Sequence, residues 1–427
     1  MIDLRDHGFF HQQFDKVVEH LDKIVNSGPT TARGAKTPPH VYSELLEAAR
    51  TAQAEASDPV PGAYYSRHPV VSLAQSAFQQ RLDAREEEEM GDPFTKTDLG
   101  WVVEIGLSLL WRLFHDRHSF CNEAATAALA NKSRLVLVSD WGTGQLDAER
   151  VAKQMRPWIT DTDREVHVVH LGDTYYSGLE QEQRDHVLRL WPVEKGEEDR
   201  IRSWALNGNH DMYSGGRGYF DILLGDQRFG RQRAGNGVPT SWFALQSDGW
   251  NVIGLDTAWN DNLPLGWAQG HLEGGQADLV AARAKDPDRK LLLLSHHQLF
   301  TVVDEDLNVG EHIQRELQPT LDGEGVDVWF WGHEHDCVAY EPHLGVRAAR
   351  AIGHGAVPEL APQPPAKPPP FFKWQYDGYR VGDKDGLHWA KHGFAVVDLD
   401  KDGATVQYVD DEGKVHDSPE TLPPAAT

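Results

Sequence analysis

Gly172-Asp173-Thr174-Tyr175-Tyr176 decides the fold of this chain, because it directly follows a mainly apolar run from Val166 to Leu171. A short run of this kind, rich in β-branched residues, is typical of a buried strand. Four other polar motifs follow short apolar runs in the same way: Ser139-Asp140-Trp141-Gly142, Gly208-Asn209-His210-Asp211, Ser295-His296-His297-Gln298 and Gly332-His333-Glu334-His335. The sequence therefore predicts several strands whose polar tips meet at one edge of a sheet.

The segments between these motifs predict alternating strands and helices. Helical patterns at Ala148 to Trp158 and Leu179 to Leu190 separate the first three strands, and another at Glu311 to Leu317 separates the last two. Asp248-Gly249 and Asp402-Gly403 are typical hairpin turns between apolar runs. We expect an α/β fold in which two sheets pack together with helices outside them, the four-layer α/β/β/α arrangement.

The pattern of apolar residues changes near Asn131 and divides the chain into two parts. Residues 1–130 show apolar residues at helical spacing and carry no recognisable chemistry, so they predict a helical extension or cap. Residues 131–427 form the predicted α/β domain, with 357–390 as a Pro-rich insertion or loop. The extension either packs on that domain or docks a partner, and the sequence leaves both open.

The charge and the cysteine content exclude some classes of protein. Lys and Arg number 41 against 66 Asp and Glu, which gives a net charge of −25 and argues against binding of duplex nucleic acid. An anionic substrate stays possible because bound metal ions reverse the local potential. The two cysteines exclude a disulfide framework. The N-terminus lacks the pattern of a secretory signal, and the longest apolar stretch, Trp101 to Phe114, is too short to span a bilayer. These features predict a cytoplasmic protein without a membrane span.

The five motifs hold the side chains that bind hard or borderline metal ions. Alternate residues of an extended chain face the same side, so His333 and His335 can act together. Asp173 is the better candidate for a carboxylate shared by two ions, and a shared ligand makes the set large enough for a two-metal site. The predicted ligands are Asp140, Asp173, Tyr176, Asn209, His296, His333 and His335.

In these motifs the chain resembles the calcineurin-like metallophosphoesterases, and in particular their purple acid phosphatase branch. The family pattern, D-x-G, G-D-x-x-Y, G-N-H-[DE], x-x-H and G-H-x-H, is present here in that order between Asp140 and His335. The wider family has a histidine where Gly142 stands and usually no tyrosine where Tyr176 stands. These two differences are consistent with one ligand lost and another gained at the same ion.

The resemblance implies a role for each of these residues. Ion one, Fe(III) in the resembling branch, would be held by Asp140, Tyr176, His335 and the shared Asp173. Ion two, which would be Fe, Zn or Mn, would be held by Asp173, Asn209, His296 and His333. His210 would reach the substrate phosphoryl group and assist the leaving group, and Asp211 would orient His210. His297 and His354 are further candidates for the substrate pocket.

The predicted function is a binuclear metal-dependent phosphoesterase in which a metal-bound hydroxide attacks a phosphate monoester or diester. Its partner would be a small phosphorylated substrate. One alternative is a phosphodiesterase of the same fold directed at nucleotides or nucleic acid. The other is a metal-bound scaffold without catalysis whose N-terminal region recruits a partner. The sequence leaves the substrate and the oligomeric state open.

Overall fold

A computed structural model of the chain describes residues 117–261, 269–302, 309–361, 365, 367–381 and 388–423. The helices predicted between residues 1 and 116 lie outside these residues. All described residues belong to one compact unit. None of its helices combines the length and the hydrophobicity that crossing a membrane requires.

Sixteen strands follow one another in the described residues. The first eight are β1 (Ala125–Ala128), β2 (Ser133–Val138), β3 (Glu165–His170), β4 (Ile201–Ala205), β5 (Phe243–Gln246), β6 (Trp250–Gly254), β7 (Lys290–Ser295) and β8 (Val328–Trp331). The others are β9 (Cys337–Tyr340), β10 (Ala349–Ile352), β11 (Phe372–Gln375), β12 (Tyr379–Val381), β13 (His388–Ala390), β14 (Gly393–Asp400), β15 (Gly403–Asp410) and β16 (Val415–Leu422).

Two mixed sheets contain fourteen of these strands. The first sheet has eight strands in the order β1-β5-β6-β7-β8-β10-β9-β11, and the second has six in the order β16-β15-β14-β2-β3-β4. Parallel pairs join β2 to β3 and β3 to β4 in the second sheet, and β6, β7, β8 and β10 in the first. The hairpins predicted at Asp248-Gly249 and Asp402-Gly403 are present as the β5/β6 and β14/β15 pairs.

The longer helices lie on the outer faces of the sheets. They are α1 (Leu146–Thr160), α4 (Gln276–Arg283) and α5 (Glu311–Asp322). The shorter α2 (Glu180–Glu182) continues as a π-helix at Gln183–Leu188. The helix α3 (Asn209–Tyr213) begins shortly after β4. A second π-helix and a 3₁₀-helix occupy Gly218–Leu223 and Gln227–Phe229.

Alternation along the strands produces the layers. In β2, Leu135 and Leu137 face a core shared by both sheets, whereas Val136 and Val138 pack with α1 on the outer face. In β7, Leu292 and Leu294 face the shared core, and the remaining leucines of that strand pack with α4 and α5. Because strand side chains alternate between faces, a strand that is apolar throughout must be covered on both sides. The predicted four-layer α/β/β/α arrangement is therefore confirmed.

Two predicted boundaries differ from the structure. In residues 117–130, which the prediction gave to the helical extension, β1 pairs with β5 of the first sheet. Alanine favours helices, but pairing with a neighbouring strand overrides this weak preference. Residues 357–390, predicted as an insertion or loop, contain β11, which pairs with β9, and the antiparallel pair β12 and β13.

Candidate metal centre

The carboxyl ends of parallel strands carry the predicted ligands. Asp140, Asp173 and Asn209 follow β2, β3 and β4 of the second sheet. In the first sheet, His296 directly follows β7, and His333 and His335 follow β8. Ligands in α/β sheets bind at this edge. Every one of these side chains is buried or nearly so.

The backbone is strained at four of these positions. The φ angles are 53° at Asp140, 72° at Asp173, 70° at His333 and 49° at His335. Residues other than glycine rarely adopt this left-handed conformation, which costs on the order of 1 kcal/mol or more at each residue and concentrates at functional sites.

Two glycines let the loops approach closely enough for this convergence. A Cβ atom on Gly208 would overlap the carboxylate of Asp173. A Cβ atom on Gly332 would overlap the hydroxyl of Ser139 and lie 2.6 Å from Oδ2 of Asp140. The glycines of the Gly-Asn-His-Asp and Gly-His-Glu-His motifs are thus required by contact between loops of different strands.

His296 lies at the centre of the position predicted for ion two. Its Nε2 atom is 3.0 Å from Oδ1 of Asn209, 3.4 Å from Oδ2 of Asp173 and 3.2 Å from Nδ1 of His333. Its Nδ1–H donates a hydrogen bond of 3.1 Å to the carbonyl oxygen of Leu171. The Nε2 lone pair therefore points into a group of other acceptors, an arrangement that a cation stabilises.

The pKa values of His296 and its two neighbouring carboxylates, Asp173 and Asp140, also indicate that these surroundings favour positive charge. Burial lowers the pKa of His296, but the Asp173 and Asp140 carboxylates outweigh burial and raise it to about 9. Burial alone would raise the pKa of Asp173, and the neighbouring His296 and His210 instead hold it well below its ordinary range. Burial raises the pKa of Asp140, although His296 and His335 partly offset this effect.

The phenol of Tyr175 marks the position predicted for ion one. Its hydroxyl oxygen is 3.2 Å from Oδ1 of Asp140, 3.2 Å from Oδ2 of Asp173 and 2.9 Å from Nε2 of His335. The other oxygen of Asp140 accepts a hydrogen bond of 2.9 Å from the backbone N–H of His333. Asp173 thus contacts residues of both positions, as expected for a shared ligand.

The hydroxyl that lies among Asp140, Asp173 and His335 belongs to Tyr175, whereas the ligand predicted from the sequence is Tyr176. The backbone of Tyr176 instead forms part of the frame of the site. Its N–H donates to Glu182 over 2.7 Å, and its carbonyl oxygen lies 2.5 Å from Nδ1 of His210. The motif Gly-Asp-Thr-Tyr-Tyr contains two adjacent tyrosines, and either could supply a phenol oxygen. The path of the loop decides which hydroxyl faces Asp140.

The donor set fits metal ions. Asp140 and Asp173 are both fully buried, and within the described residues their ion-pair partners are histidines. Buried carboxylates without a fixed cation are costly, and a metal ion offsets that cost. Oxygen and imidazole nitrogen donors suit Fe, Mn and Zn. Asp140, Asp173 and His296 offer one ligand atom each within 4.8 Å of one another, and so do His296, His297 and His333.

His210 lies beside the metal ligands with one nitrogen turned toward them. Its Nδ1 atom is bonded to the carbonyl oxygen of Tyr176, and its Nε2 atom is 4.0 Å from Oδ2 of Asp173. The ring packs against Tyr175 and Tyr213 with centroid distances of 4.4 and 4.8 Å. Burial lowers the pKa of His210 to about 4. A nearby phosphoryl anion would raise that pKa and allow Nε2 to carry a proton.

The carboxylate of Asp211 accepts hydrogen bonds from the loops beside His210, and its role in orienting His210 stays a prediction. Its Oδ2 atom accepts 2.9 Å bonds from the N–H groups of Asp173 and Gly208, and its Oδ1 atom accepts a bond of 2.7 Å from Gln183. Burial and the Asp173 carboxylate raise its pKa to about 7. Asp211 therefore ties together the loops after β3 and β4, while the Tyr176 carbonyl orients His210.

His297 packs against the cluster, but its ring nitrogens have partners elsewhere. Its Nε2 atom is 2.9 Å from Oδ2 of Asp261, and its Nδ1 atom is 3.0 Å from the hydroxyl of Thr257. The ring lies against His296 and His333 with centroid distances of 4.9 and 4.7 Å. Contact with a substrate stays a prediction, and the structure gives His297 a supporting position behind His333.

His354 lies away from the metal ligands. It follows β10 at the same edge, and Gly353 before it contacts Asp140, but its ring faces a different group of side chains. A Cβ atom on Gly393 would lie 2.8 Å from Nε2 of His354. Burial and the neighbouring His392 lower the pKa of His354 to about 3. The placement of His354 in the substrate pocket stays a prediction.

The family comparison agrees with this geometry. Residues 133–337 match the family described as calcineurin-like phosphoesterase, and this range contains all five motifs. This part of the chain is therefore similar to calcineurin-like phosphoesterases. The comparison with curated proteins found no match.

Three solved structures are similar to this chain. GAP50, described as the anchor in the inner membrane complex of Plasmodium, has 16% sequence identity and a TM-score of 0.45, over 68% of this chain and 88% of its own. The purple acid phosphatase PPD1 from yellow lupin (Lupinus luteus) seeds has 14% identity and a TM-score of 0.44, over 68% of this chain and 53% of its own. A dimetal phosphatase from Danio rerio has 15% identity and a TM-score of 0.45, over 68% of this chain and 98% of its own.

Proposed function

We propose that this chain is a metal-dependent hydrolase of phosphate esters with two ions between the carboxyl ends of its sheets. The observation that carries the proposal is the convergence of five loops on Asp173 and Tyr175. Asp173 contacts Tyr175, His210 and His296, and the Tyr175 hydroxyl contacts Asp140 and His335. Ligands brought together from distant parts of a chain at strained backbone positions have no comparable role in packing.

Each ion would have its own ligands in addition to the shared Asp173. Asp140, Tyr175 and His335 would hold ion one, and Asn209, His296 and His333 would hold ion two. Two ions at these positions would supply Lewis-acid activation of water and neutralise the developing charge on the phosphoryl group. The phenol and carboxylates around ion one favour Fe, and the amide and imidazoles around ion two suit Fe, Mn or Zn.

The chain itself would handle the leaving group through His210. The Tyr176 carbonyl fixes the proton of Nδ1, so Nε2 is the atom that faces the reaction. When a phosphate ester raises the pKa of His210, Nε2–H can donate to the ester oxygen as its bond to phosphorus breaks. Tyr175 and Tyr213 on either side keep the ring in place.

The proposal is tested by hydrolysis of an aryl phosphomonoester and the matching diester with metal-stripped protein and after addition of Fe, Mn or Zn. We expect hydrolysis that depends on metal and that is lost in Asn209→Ala. A matched control is Asn251→Ala, which changes the same residue type on β6, remote in sequence from the five motifs. Retention of full hydrolysis by Asn209→Ala would overturn the proposal, and the ratio of monoester to diester turnover would identify the substrate type.

A further inference from the structure

Glu359 stands directly behind one of the metal ligands. Its Oε1 atom lies 2.6 Å from Nδ1 of His335, and its side chain is 42% exposed whereas that of His335 is 4% exposed. Glu359 belongs to the Pro-rich segment that follows β10, in which the sequence showed no chemistry. A carboxylate in this segment therefore reaches the metal centre from outside the five motifs.

The contact fixes how the imidazole of His335 is protonated. An ionised carboxylate can only accept hydrogen bonds, so the proton resides on Nδ1. The lone pair is then on Nε2, which faces the Tyr175 hydroxyl at 2.9 Å and Oδ1 of Asp140 at 3.5 Å. Glu359 thus directs the donor atom of His335 toward ion one.

The imidazoles of His296 and His210 are supported by neutral groups. Nδ1 of His296 faces the carbonyl oxygen of Leu171, and Nδ1 of His210 faces that of Tyr176. A carboxylate behind an imidazole makes it a stronger donor than a carbonyl does, because it stabilises the positive charge that the ring gains on binding a cation. The two metal positions therefore differ in the charge that surrounds them.

The backbone holds Glu359 in place. Its carbonyl oxygen accepts a hydrogen bond of 2.8 Å from Ala390, and the N–H of Ala361 donates to His388 over 2.8 Å. An isolated bridge joins Leu360 to Trp389 between these bonds. The segment around Glu359 thus pairs with β13, and the side chain of Glu359 connects the β12–β13 pair to His335.

We propose that Glu359 is a positioning residue that strengthens His335 as a ligand and favours a highly charged ion, such as Fe(III), at position one. This inference rests on the proposed two-metal function. Removal of the carboxylate would weaken retention of ion one and leave ion two largely unchanged, since the contacts of His296 and Asn209 do not involve Glu359.

The test compares three variants of the full chain loaded with Fe. Glu359→Gln keeps an acceptor for Nδ1 but removes the charge, Glu359→Ala removes both, and Glu341→Gln removes a charge from an exposed glutamate just after β9. The measurements are the metal content per chain during treatment with a chelator and the visible absorption band of tyrosinate bound to Fe(III). We expect Glu359→Ala to lose ion one about 10–100-fold faster than the unaltered chain. Glu359→Gln should lie between them, and Glu341→Gln should match the unaltered chain.

The outcomes separate this inference from the proposed function. Two ions in the unaltered chain with equal retention in Glu359→Ala would overturn the role of Glu359 alone. Equal losses in Glu359→Gln and Glu341→Gln would also overturn it, because the effect would then be one of surface charge. An unaltered chain that binds no ions would overturn both proposals.

Discussion

The chain buries two groups of histidines, and they differ in what faces them. Around His296, carboxylates of Asp173 and Asp140 raise the imidazole pKa to about 9 in spite of burial. Around His354, burial together with His392 and His416 lowers the pKa to about 3, and the nearby Asp410 exerts only a weaker effect. Both histidines follow strands at the same edge, and the carboxylates that converge on His296 distinguish its surroundings from those of His354.

The carboxylate near His354 is engaged in holding a turn. Oδ1 of Asp410 accepts hydrogen bonds from the N–H groups of Glu412 and Lys414, and its Oδ2 atom lies 3.3 Å from Nε2 of His416. Backbone donors thus take up part of its charge. Asp173 also accepts a backbone hydrogen bond, from the N–H of His210 to its Oδ1 atom, but its Oδ2 atom is directed to Tyr175 and His296. The first group stabilises the fold, and the second is arranged for a cation.

The largest expected effect separates the two groups directly. Asp173→Asn removes the carboxylate that both ions would share, so we expect loss of bound metal and a decrease of more than about 100-fold in phosphoester hydrolysis, since even indirect support of a ligand is worth 10–100-fold. His354→Gln is the matched change in the other group and should leave both quantities within about twofold. Metal content and turnover measured on both proteins check this. Similar losses of metal and turnover in Asp173→Asn and His354→Gln would contradict the difference between the two groups of histidines.

His210 should affect catalysis without affecting metal binding. We expect His210→Ala to decrease kcat by about 10²–10⁴-fold, the usual contribution of a positioned acid, while two ions stay bound. His312→Ala, at a partly buried position of α5, is the control. Steady-state kinetics and metal analysis on the same samples decide between roles. Loss of metal in His210→Ala would mean that His210 holds the site together instead.

The tyrosine assignment can be sharpened by one pair of variants. Tyr175→Phe removes the hydroxyl that lies among Asp140, Asp173 and His335, so the Fe-loaded protein should lose its visible tyrosinate band and retain ion one about tenfold less well. Tyr176→Phe should keep the band. The absorption spectra of the two variants are the measurement, and the reverse pattern would restore Tyr176 as the ligand.

The smallest effect concerns stability in acid. The pKa of His354 in the folded chain is lowered from an ordinary value of 6.5 to about 3, so the unfolded chain takes up this proton first. The contribution of neutral His354 to stability is present above about pH 6.5 and is lost as the pH falls toward 3, by about 1.4 kcal/mol per pH unit. His354→Gln should therefore show a shallower loss of unfolding free energy between pH 6 and 4. Parallel curves from urea unfolding would contradict the assigned shift.

Much of the fold was predictable because its signals are local. The apolar runs at Arg134 to Val138 and Val166 to Leu171 predicted β2 and β3 closely, and the Asp-Gly turns predicted both hairpins. Strand β1 was missed because Ala-Thr-Ala-Ala has no strand pattern, and pairing with β5 alone makes it a strand. Partners distant in sequence leave no local signal.

The same reasoning explains what the sequence revealed of the site. Asp140, Asp173, Asn209, His296, His333 and His335 were predictable because each follows a strand in a recognisable motif. The choice between Tyr175 and Tyr176 depends on the path of a loop, which the motif does not specify. Glu359 was missed because its contact with His335 joins residues 24 positions apart through a segment without periodicity. The direction of the His354 ring could not be predicted, because the position of a strand end does not determine where a ring points.

The central claim is that the cluster around Asp173 binds two ions and uses them to hydrolyse phosphate esters. The most direct test measures metal content and hydrolysis of an aryl phosphate in the same samples, for the unaltered chain and for Asp173→Asn, after stripping and after addition of Fe, Mn or Zn. The account predicts two ions per unaltered chain, hydrolysis that returns with them, and neither in Asp173→Asn. Full hydrolysis by the stripped chain, or equal hydrolysis by Asp173→Asn, would contradict it.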